Sequence, residues 1–426
     1  ATHFVGVAYP QDKAEKRPVK KQKCFFTGRF WGWDILPGER AWAIIQKKKA
    51  SKTKRASDMK HSGRKNKITY QIMHMDQITA QIDTLGKARI LKEQFLPYDL
   101  YLEEEEDLDT CINNLGNFYY WCASRVLSLD RKYAKDILNS IGMAQAVTDR
   151  DRAQIALSYH CVSLTDVYWV RQAQEDVTFA QLNLYDHSLN DAVVALSLRG
   201  RQMTVTNEEL APDLSTRGCF PKAWIRQEEG FVLLKDGGDA VDRELIASRI
   251  CRCFDFRQVL YEAGTYEGQR VTKSHLITSK RYGIVSKMAF DIYACNHDLD
   301  TLEECMRLDA KTYYGMNILD YLVGNTDRHP ENWGFLIDNE TNRYVALYPL
   351  MDFNQSFYSY DTLDGAFCQT LEKRGVTQRE GALDAVRRIG LNQIREVDPA
   401  VFDAQPEWRE MFRRRLEVLR EGKEKM

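Results

Sequence analysis

One segment of this 426-residue chain carries its most informative pattern: Gly324-Asn325-Thr326-Asp327-Arg328-His329-Pro330-Glu331-Asn332-Trp333-Gly334-Phe335-Leu336-Ile337-Asp338. The Gly and Asn at its start are typical of a helix end, since both tolerate a left-handed backbone. The apolar run from Trp333 to Ile337 at its end is typical of a strand. We therefore predict that the polar residues between them lie on a loop that joins a helix to a strand.

The residues after this stretch predict a hairpin. Turn-forming residues run from Asp338 to Arg343, and a second β-type run follows from Tyr344 to Tyr348. The hairpin would deliver Asp352 beside Asn332. Phosphoryl transfer needs a carboxylate for the proton of the incoming hydroxyl and oxygen ligands for Mg²⁺ on the ATP phosphates. We therefore predict an ATP site with Asp327 as catalytic carboxylate and Asn332 and Asp352 as Mg²⁺ ligands.

Residues upstream fit the same scheme. The spacing Asp-x-x-x-x-Asn is that of the protein-kinase catalytic loop, and Asp352-Phe353-Asn354 stands where those enzymes have Asp-Phe-Gly. Lys235 ends a β-type run and Glu244 follows on a helix-like segment, as expected for a Lys-Glu pair that positions ATP. A loop of small residues before them is predicted to cover the phosphates. Its candidate cofactor-binding residues are Ser215, Thr216, Gly218 and Lys222.

The candidate catalytic residues also have a plainer interpretation. Asp and Asn favour helix caps and turns for reasons of local hydrogen bonding alone. The conjunction of Asp327 and Asn332 with Asp352 across a hairpin favours a site over a cap. His329 is counted with the catalytic residues, although a structural or phosphate-contacting role suits it better than that of a general base.

The rest of the chain predicts an α+β protein in four parts. Residues 1–68 form a basic extension, 69–200 a helical module, 201–300 a β-rich ATP-binding lobe and 301–426 a mainly helical catalytic lobe. The helical module is indicated by apolar residues at three- and four-residue steps from Ile112 to Val126.

Local patterns support the two lobes. Short β-type runs with Gly turns indicate the β-rich lobe, and they are Ala223 to Ile225, Phe231 to Leu234, and Val259 to Tyr261 before Gly264 and Gly268. Helical periodicity indicates the second lobe, in Thr312 to Val323 and in Glu407 to Arg420.

The composition excludes several classes. Hydrophobic residues make up 44% of the chain and charged residues 28%, which is typical of a globular protein rather than a disordered or fibrous one. No stretch approaches the roughly 18 consecutive apolar residues of a membrane-spanning helix, and no secretory leader is evident. We expect a cytoplasmic protein with no membrane partner.

The net charge of −1 hides a basic N-terminal region. The first 70 residues contain about 18 Lys and Arg against about 5 Asp and Glu. An aromatic patch, Phe30, Trp31 and Trp33, lies among them. This extension has two interpretations: nucleic-acid contact through phosphates and stacked bases, or a solubilising or partner-docking tail.

The site residues resemble those of one known group, the HipA-type serine/threonine kinases, the toxin half of bacterial toxin-antitoxin pairs. The likeness lies in Asp327-Arg328-His329-x-x-Asn332, the hairpin to Asp352, and the Ser215-to-Lys222 loop with Lys235. It implies a two-lobed kinase fold with ATP in the cleft. It also implies Asp327 as base, Asn332 and Asp352 as Mg²⁺ ligands and Lys235 as the phosphate-binding lysine.

The resemblance carries further implications for residues and partners. Ser215 falls where that family has an autophosphorylated serine, the substrate would be a cytosolic protein such as part of the translation apparatus, and a small DNA-binding antitoxin would be a partner. The likeness covers roughly residues 200 to 370. The loop departs from the pattern, because it keeps one Gly, and Arg217 and Phe220 replace smaller or polar residues.

Two other functions stay open. The Asp-Arg-His-x-x-Asn pattern also occurs in phosphoinositide kinases, for which the acceptor would be a lipid. A pseudokinase or a scaffold bound to an antitoxin would use the fold for binding without transfer. Retention of a base with two metal ligands favours an active kinase, whereas the departures in the phosphate loop favour the scaffold.

Overall fold

The structure is a computed structural model that describes residues 67–142, 148–186, 196–198, 212, 215–228, 230–357, 362–371, 375–402 and 405–424. Helices and strands are numbered here over those residues. The basic extension up to residue 66, with its aromatic patch, lies outside them, so its two interpretations remain predictions.

The N-terminal module combines a sheet with helices. Its antiparallel sheet has the order β3-β2-β1-β4, and the strands are β1 (Thr69–His74), β2 (Gln77–Asp83), β3 (Ala88–Ile90) and β4 (Tyr168–Gln172). A 3₁₀ turn spans Glu93–Phe95. The helices are α1 (Leu108–Ser124), α2 (Ala134–Ser140), α3 (Asp149–Ser158) and α4 (Phe179–Leu182).

The prediction of a helical module is therefore wrong in part. The helix expected around residues 112–126 is confirmed as α1, which begins where the Asp107 carboxylate accepts the backbone N–H groups of Asp109 and Thr110. The sheet was missed because β1 is buried on four consecutive residues, Gln71 to His74, and so shows no alternation of apolar and polar residues.

The β-rich lobe is a four-stranded antiparallel sheet of order β5-β6-β8-β7, covered by one helix. Its elements are β5 (Lys222–Gln227), β6 (Gly230–Lys235), α5 (Ala240–Cys251), β7 (Tyr261–Tyr266) and β8 (Gln269–His275). The predicted runs in β5 and β6 are confirmed. The third strand begins only at Tyr261, and Gly268, with φ of 77°, makes the turn into β8.

The C-terminal lobe is mainly helical, as predicted, and carries a small sheet of order β11-β10-β9. Because β9 pairs with β10, this lobe begins at residue 282 rather than at the predicted residue 301. Its elements are β9 (Tyr282–Ser286), α6 (Lys287–Asn296), α7 (Thr301–Val323), β10 (Gly334–Asp338), β11 (Arg343–Leu347), α8 (Gln378–Ile389), a 3₁₀ turn (Pro399–Phe402) and α9 (Pro406–Glu424). The predicted hairpin is confirmed as β10 and β11. The backbone of α7 departs from helical geometry at Asp309.

Apolar packing joins these parts into an α+β fold with two lobes. One large core fills the helical lobe and includes the inner face of α5, while a second fills the N-terminal module. A smaller core of Ala223, Val232, Leu234 and Val271 lies within the β5–β8 sheet. Within the described ranges, no helix is long and apolar enough to cross a membrane.

Candidate active site

The loop that carries Asp327 is built as the sequence predicts. Helix α7 ends at Val323, and Gly324 follows it in a left-handed conformation, with φ of 61° and ψ of 40°. The Asn325 side chain donates to the Asp320 carboxylate at 3.0 Å and so turns the chain out of the helix. The loop then runs directly into β10, which places its polar residues at the edge of the hairpin.

Arg328 is the residue that holds this loop in place. It is 2% exposed, and its Nε and Nη2 atoms donate to the Asp320 carboxylate at 2.9 and 3.0 Å. Its Nη1 atom donates to the carbonyl oxygens of Asn332, at 3.0 Å, and Met351, at 2.6 Å. One buried guanidinium therefore ties helix α7, the loop and the residue before Asp352 together.

Sequence reasoning missed this role of Arg328. The available signal was Asp320, an acid on the otherwise apolar end of α7 that needs a buried partner. The guanidinium also lies over the Phe353 ring, with 5.1 Å from Cζ to the ring centroid. Arg328 thus fixes the segments on both sides of the predicted metal ligands.

Asp352 lies where three elements meet. Its backbone has a left-handed conformation, with φ of 61°, and its N–H group donates to the Tyr261 hydroxyl at 3.0 Å. Its Oδ1 atom accepts from Lys235 Nζ at 2.7 Å and from Asn354 Nδ2 at 2.6 Å. Removal from water favours the neutral acid, but the positive charges of Lys235 and Lys222 outweigh it and lower the pKa of Asp352 to about 2. Asp352 is therefore ionised at neutral pH.

The structure brings Lys235 and Glu244 together as predicted. Lys235 Nζ donates to Glu244 Oε1 at 3.0 Å, and Thr272 donates to the other carboxylate oxygen at 2.9 Å. Both partners of the ion pair are nearly fully buried. Burial alone would lower the pKa of Lys235, but the charges of Asp352 and Glu244 outweigh it and hold that pKa above its ordinary value. Lys235 is therefore a fixed positive charge at the end of β6, an interior strand of the sheet.

Lys222 lies directly opposite Lys235 on the neighbouring strand, so both side chains share one face of the sheet. The Lys222 amine donates to the Arg217 carbonyl oxygen at 2.8 Å. Burial and the nearby charge of Lys235 lower the pKa of Lys222 to about 7. Gly218, with φ of 103°, packs against this amine so closely that a side chain there would collide with it.

The hydroxyl groups of the predicted phosphate loop, residues 215–222, are bonded to the nearby protein backbone. The Ser215 and Thr216 hydroxyls both donate to the Pro212 carbonyl oxygen, at 3.2 and 2.6 Å. Ser215 is 6% exposed. The Phe220 ring faces Lys235 Nζ at 5.4 Å. In this conformation the loop lies against the lysines, and the cofactor-binding roles of its hydroxyls remain predictions.

Asp327 and His329 lie on the open side of the loop. Their side chains are 43% and 39% exposed, and Asp327 Oδ1 lies 3.9 Å from His329 Nε2. The Glu331 N–H group donates to His329 Nδ1 at 3.2 Å, so Nδ1 is an acceptor and Nε2 faces Asp327. Removal from water raises the pKa of Asp327; His329 opposes this shift, and the negative charge of Asp352 adds to it. A carboxylate with a raised pKa is a better proton acceptor.

The oxygen atoms left over suit Mg²⁺. Asn332 donates its amide to the Asp327 carbonyl oxygen at 2.7 Å, which leaves its Oδ1 atom free. No described residue donates to Asp352 Oδ2, and the Oδ1 atom of Asn354 is buried without a partner. Carboxylate and amide oxygens are ligands that Mg²⁺ accepts. The described residues contain no group of three His, Cys, Asp or Glu that would hold a metal otherwise.

The chain has similar solved structures but no match among family models or curated proteins. The chain is similar to the proinflammatory kinase CtkA of Helicobacter pylori, with 19% identity and a TM-score of 0.34 over 48% of this chain and 90% of that one. It is also similar to a chain of the Shewanella oneidensis MR-1 toxin-antitoxin complex of HipA, HipB and operator DNA, with 12% identity and a TM-score of 0.49 over 83% of this chain and 99% of that one.

Proposed function

We propose that this chain is an ATP- and Mg²⁺-dependent phosphotransferase that acts as a serine/threonine protein kinase. The observation that carries the proposal is the bond from Lys235 Nζ to both Glu244 and Asp352, at 3.0 and 2.7 Å. It places a fixed positive charge beside a carboxylate with one free oxygen. Arg328 ties the loop of Asp327 to the same place. Positioning and charge stabilisation are the main requirements of phosphoryl transfer.

In this proposal, the buried lysines bind the phosphates of ATP. Lys235 is held protonated by its two carboxylates, whereas Lys222, with a pKa of about 7, gains a proton readily when phosphate oxygens approach. Asp352 and Asn332 would hold Mg²⁺. When bound, Mg²⁺ neutralises charge on the phosphate oxygens.

Asp327 acts on the acceptor hydroxyl. Its carboxylate orients the hydroxyl and takes its proton while the acceptor oxygen forms a bond to the γ-phosphorus. The bond between that phosphorus and the β,γ-bridging oxygen breaks, and ADP leaves with the electron pair. The raised pKa and the exposure of Asp327 suit a base that meets a large acceptor from solution.

The loop over the lysines supports a second candidate, a scaffold that binds partners without transfer. The Phe220 ring lies against Lys235, and the Lys222 amine is bonded to the Arg217 carbonyl oxygen. Phosphates reach both lysines only after this loop moves. Ser215 is buried, so its proposed autophosphorylation needs the same movement. The DNA-binding antitoxin partner that the sequence resemblance implies remains a prediction.

The experiment is incubation of the purified chain with γ-labelled ATP and Mg²⁺, alone and with a cytosolic extract. Asp327→Ala is expected to reduce label transfer by about 100-fold or more, since general-base catalysis contributes that much. Asp384→Ala is the matched control, because Asp384 is as exposed as Asp327 but pairs with Arg388 on α8. Label is followed into protein and lipid separately.

Each outcome selects one function. Label on protein that is lost in Asp327→Ala and kept in Asp384→Ala supports the kinase. Label on lipid favours the phosphoinositide-kinase alternative. Binding of ATP without transfer, seen as a shift in thermal unfolding, contradicts the kinase and favours the scaffold.

A further inference from the structure

Asn354 is a buried side chain beside the candidate metal site. It is 4% exposed, and its backbone carbonyl accepts from Arg243 Nε at 3.1 Å. Its Nδ2 atom donates to Asp352 Oδ1 at 2.6 Å, while its Oδ1 atom is buried with no hydrogen-bond partner among the described residues. Buried polar atoms are nearly always paired, so an unpaired one calls for an explanation.

The amide of Asn354 helps to fix the orientation of the Asp352 carboxylate. Lys235 Nζ and Asn354 Nδ2 both donate to Oδ1, and no described residue donates to Oδ2. The two oxygens of an ionised carboxylate are equivalent, so a second donor matters because it fixes the direction in which the carboxylate presents its unbonded oxygen. With it, one oxygen is committed to protein donors and the other is left for a ligand.

We propose that Asn354 is a positioning residue of the metal site. This inference rests on the proposed function. The Nδ2 atom holds the Asp352 carboxylate so that Oδ2 is the metal ligand, and the unpaired Oδ1 atom accepts a hydrogen bond from a metal-bound water. Mg²⁺ usually keeps several waters, which makes such an acceptor useful. Residues that orient a metal ligand commonly affect affinity by about 10-fold to 100-fold.

A purely structural role for Asn354 explains less. Its hydrogen bond to Asp352 adds a second donor to an oxygen that Lys235 already satisfies. An apolar side chain of similar volume would fill the same space without a buried, unpaired oxygen. The buried amide of Asn354 is therefore explained if its Nδ2 atom orients Asp352 and its Oδ1 atom accepts a hydrogen bond from a ligand.

Variant Asn354→Leu tests the role, with Ser356→Ala as the matched control. Ser356 is also buried, and its hydroxyl also has no hydrogen-bond partner among the described residues, but no hydrogen bond found in the described part of the chain joins it to Asp352. The probe is Mn²⁺, titrated by electron paramagnetic resonance into the chain with a non-hydrolysable ATP analogue. Binding of a fluorescent ATP analogue in EDTA is the second readout. We expect Asn354→Leu to weaken Mn²⁺ by about 10-fold, with metal-free nucleotide binding nearly unchanged.

The outcomes separate the two proposals. If the unmodified chain binds no Mn²⁺ with the nucleotide, the proposed function itself is overturned, and this inference with it. If Mn²⁺ binds the unmodified chain and Asn354→Leu equally, only the inference is wrong. Equal losses with and without metal would show a structural role, which also overturns it. If Asn354→Leu does not fold, Asn354→Ala is judged by the same criteria.

Discussion

The two halves of the candidate site are built in opposite ways. Lys235 and Glu244 are buried and bonded to each other, with Asp352 at their edge. Asp327 and His329 are about two-fifths exposed, and their closest atoms lie 3.9 Å apart. The first half is held rigid by ion pairs and hydrogen bonds between neighbouring side chains. The second half is left open, which suits the proposed kinase, because its base must meet a second substrate.

The stability of the chain is expected to depend on these halves very differently. Breaking a buried ion pair leaves a charge without a partner and without water, whereas exposed groups lose little. Three sets of variants test this difference in stability.

Lys235→Met is expected to destabilise the chain most, by about 3–5 kcal/mol, because it leaves Glu244 and Asp352 without their shared cation. Urea unfolding measures the loss. Lys311→Met is the control, since the pair of Lys311 with Asp255 is exposed on both sides and should contribute little to stability. Equal losses in the two variants would contradict the contrast.

The two Asp carboxylates are expected to respond to pH with opposite signs. The pKa of Asp352 is lowered to about 2, so its ionised form stabilises the fold. This contribution is complete above the unfolded pKa of about 3.9 and is lost as the pH falls towards the folded value. The pKa of Asp327 is raised, chiefly by removal from water, so its ionisation destabilises the fold.

Urea unfolding in EDTA, from about pH 7 down to about pH 2, checks this difference. Asp352→Asn should lower the free energy of unfolding at neutral pH, and the deficit should shrink in acid. Asp327→Asn should raise it slightly at neutral pH, and the gain should vanish once Asp327 is protonated. Parallel curves for the two variants would rule out the proposed difference in environment.

Glu331→Gln is expected to have the smallest effect. Glu331 pairs with Arg217 and so links the phosphate loop to the loop of Asp327, but both side chains are about two-fifths exposed. The change in the free energy of unfolding should stay below about 1 kcal/mol. Glu410→Gln on α9, which removes an exposed pair with Arg413, gives the scale for a surface contact. A much larger loss in Glu331→Gln would show that this link belongs to the rigid half.

Much of the site was readable from sequence because its parts are local. Gly324 ends α7, the turn from Asp338 to Arg343 joins β10 to β11, and Lys235 ends β6, all as predicted. Each of these depends on turn chemistry or on alternation within a few residues. The sheet of the N-terminal module was missed for the converse reason, since β1 is buried without alternation.

Contacts between charged residues far apart in the chain could be found only in the folded structure. Lys235 and Asp352 are 117 residues apart in the chain, yet their atoms lie 2.7 Å apart. The roles of Arg328 and Asn354 depend on which carbonyl or carboxylate each one reaches.

The order of helices and strands and the residue types at the site could be predicted from the sequence. Each depends on the chemistry of a few neighbouring residues. Packing decides how the Asp352 carboxylate is oriented and which lysine lies beside it. A charge removed from water is costly unless it is paired, so the fold determines which charged groups meet.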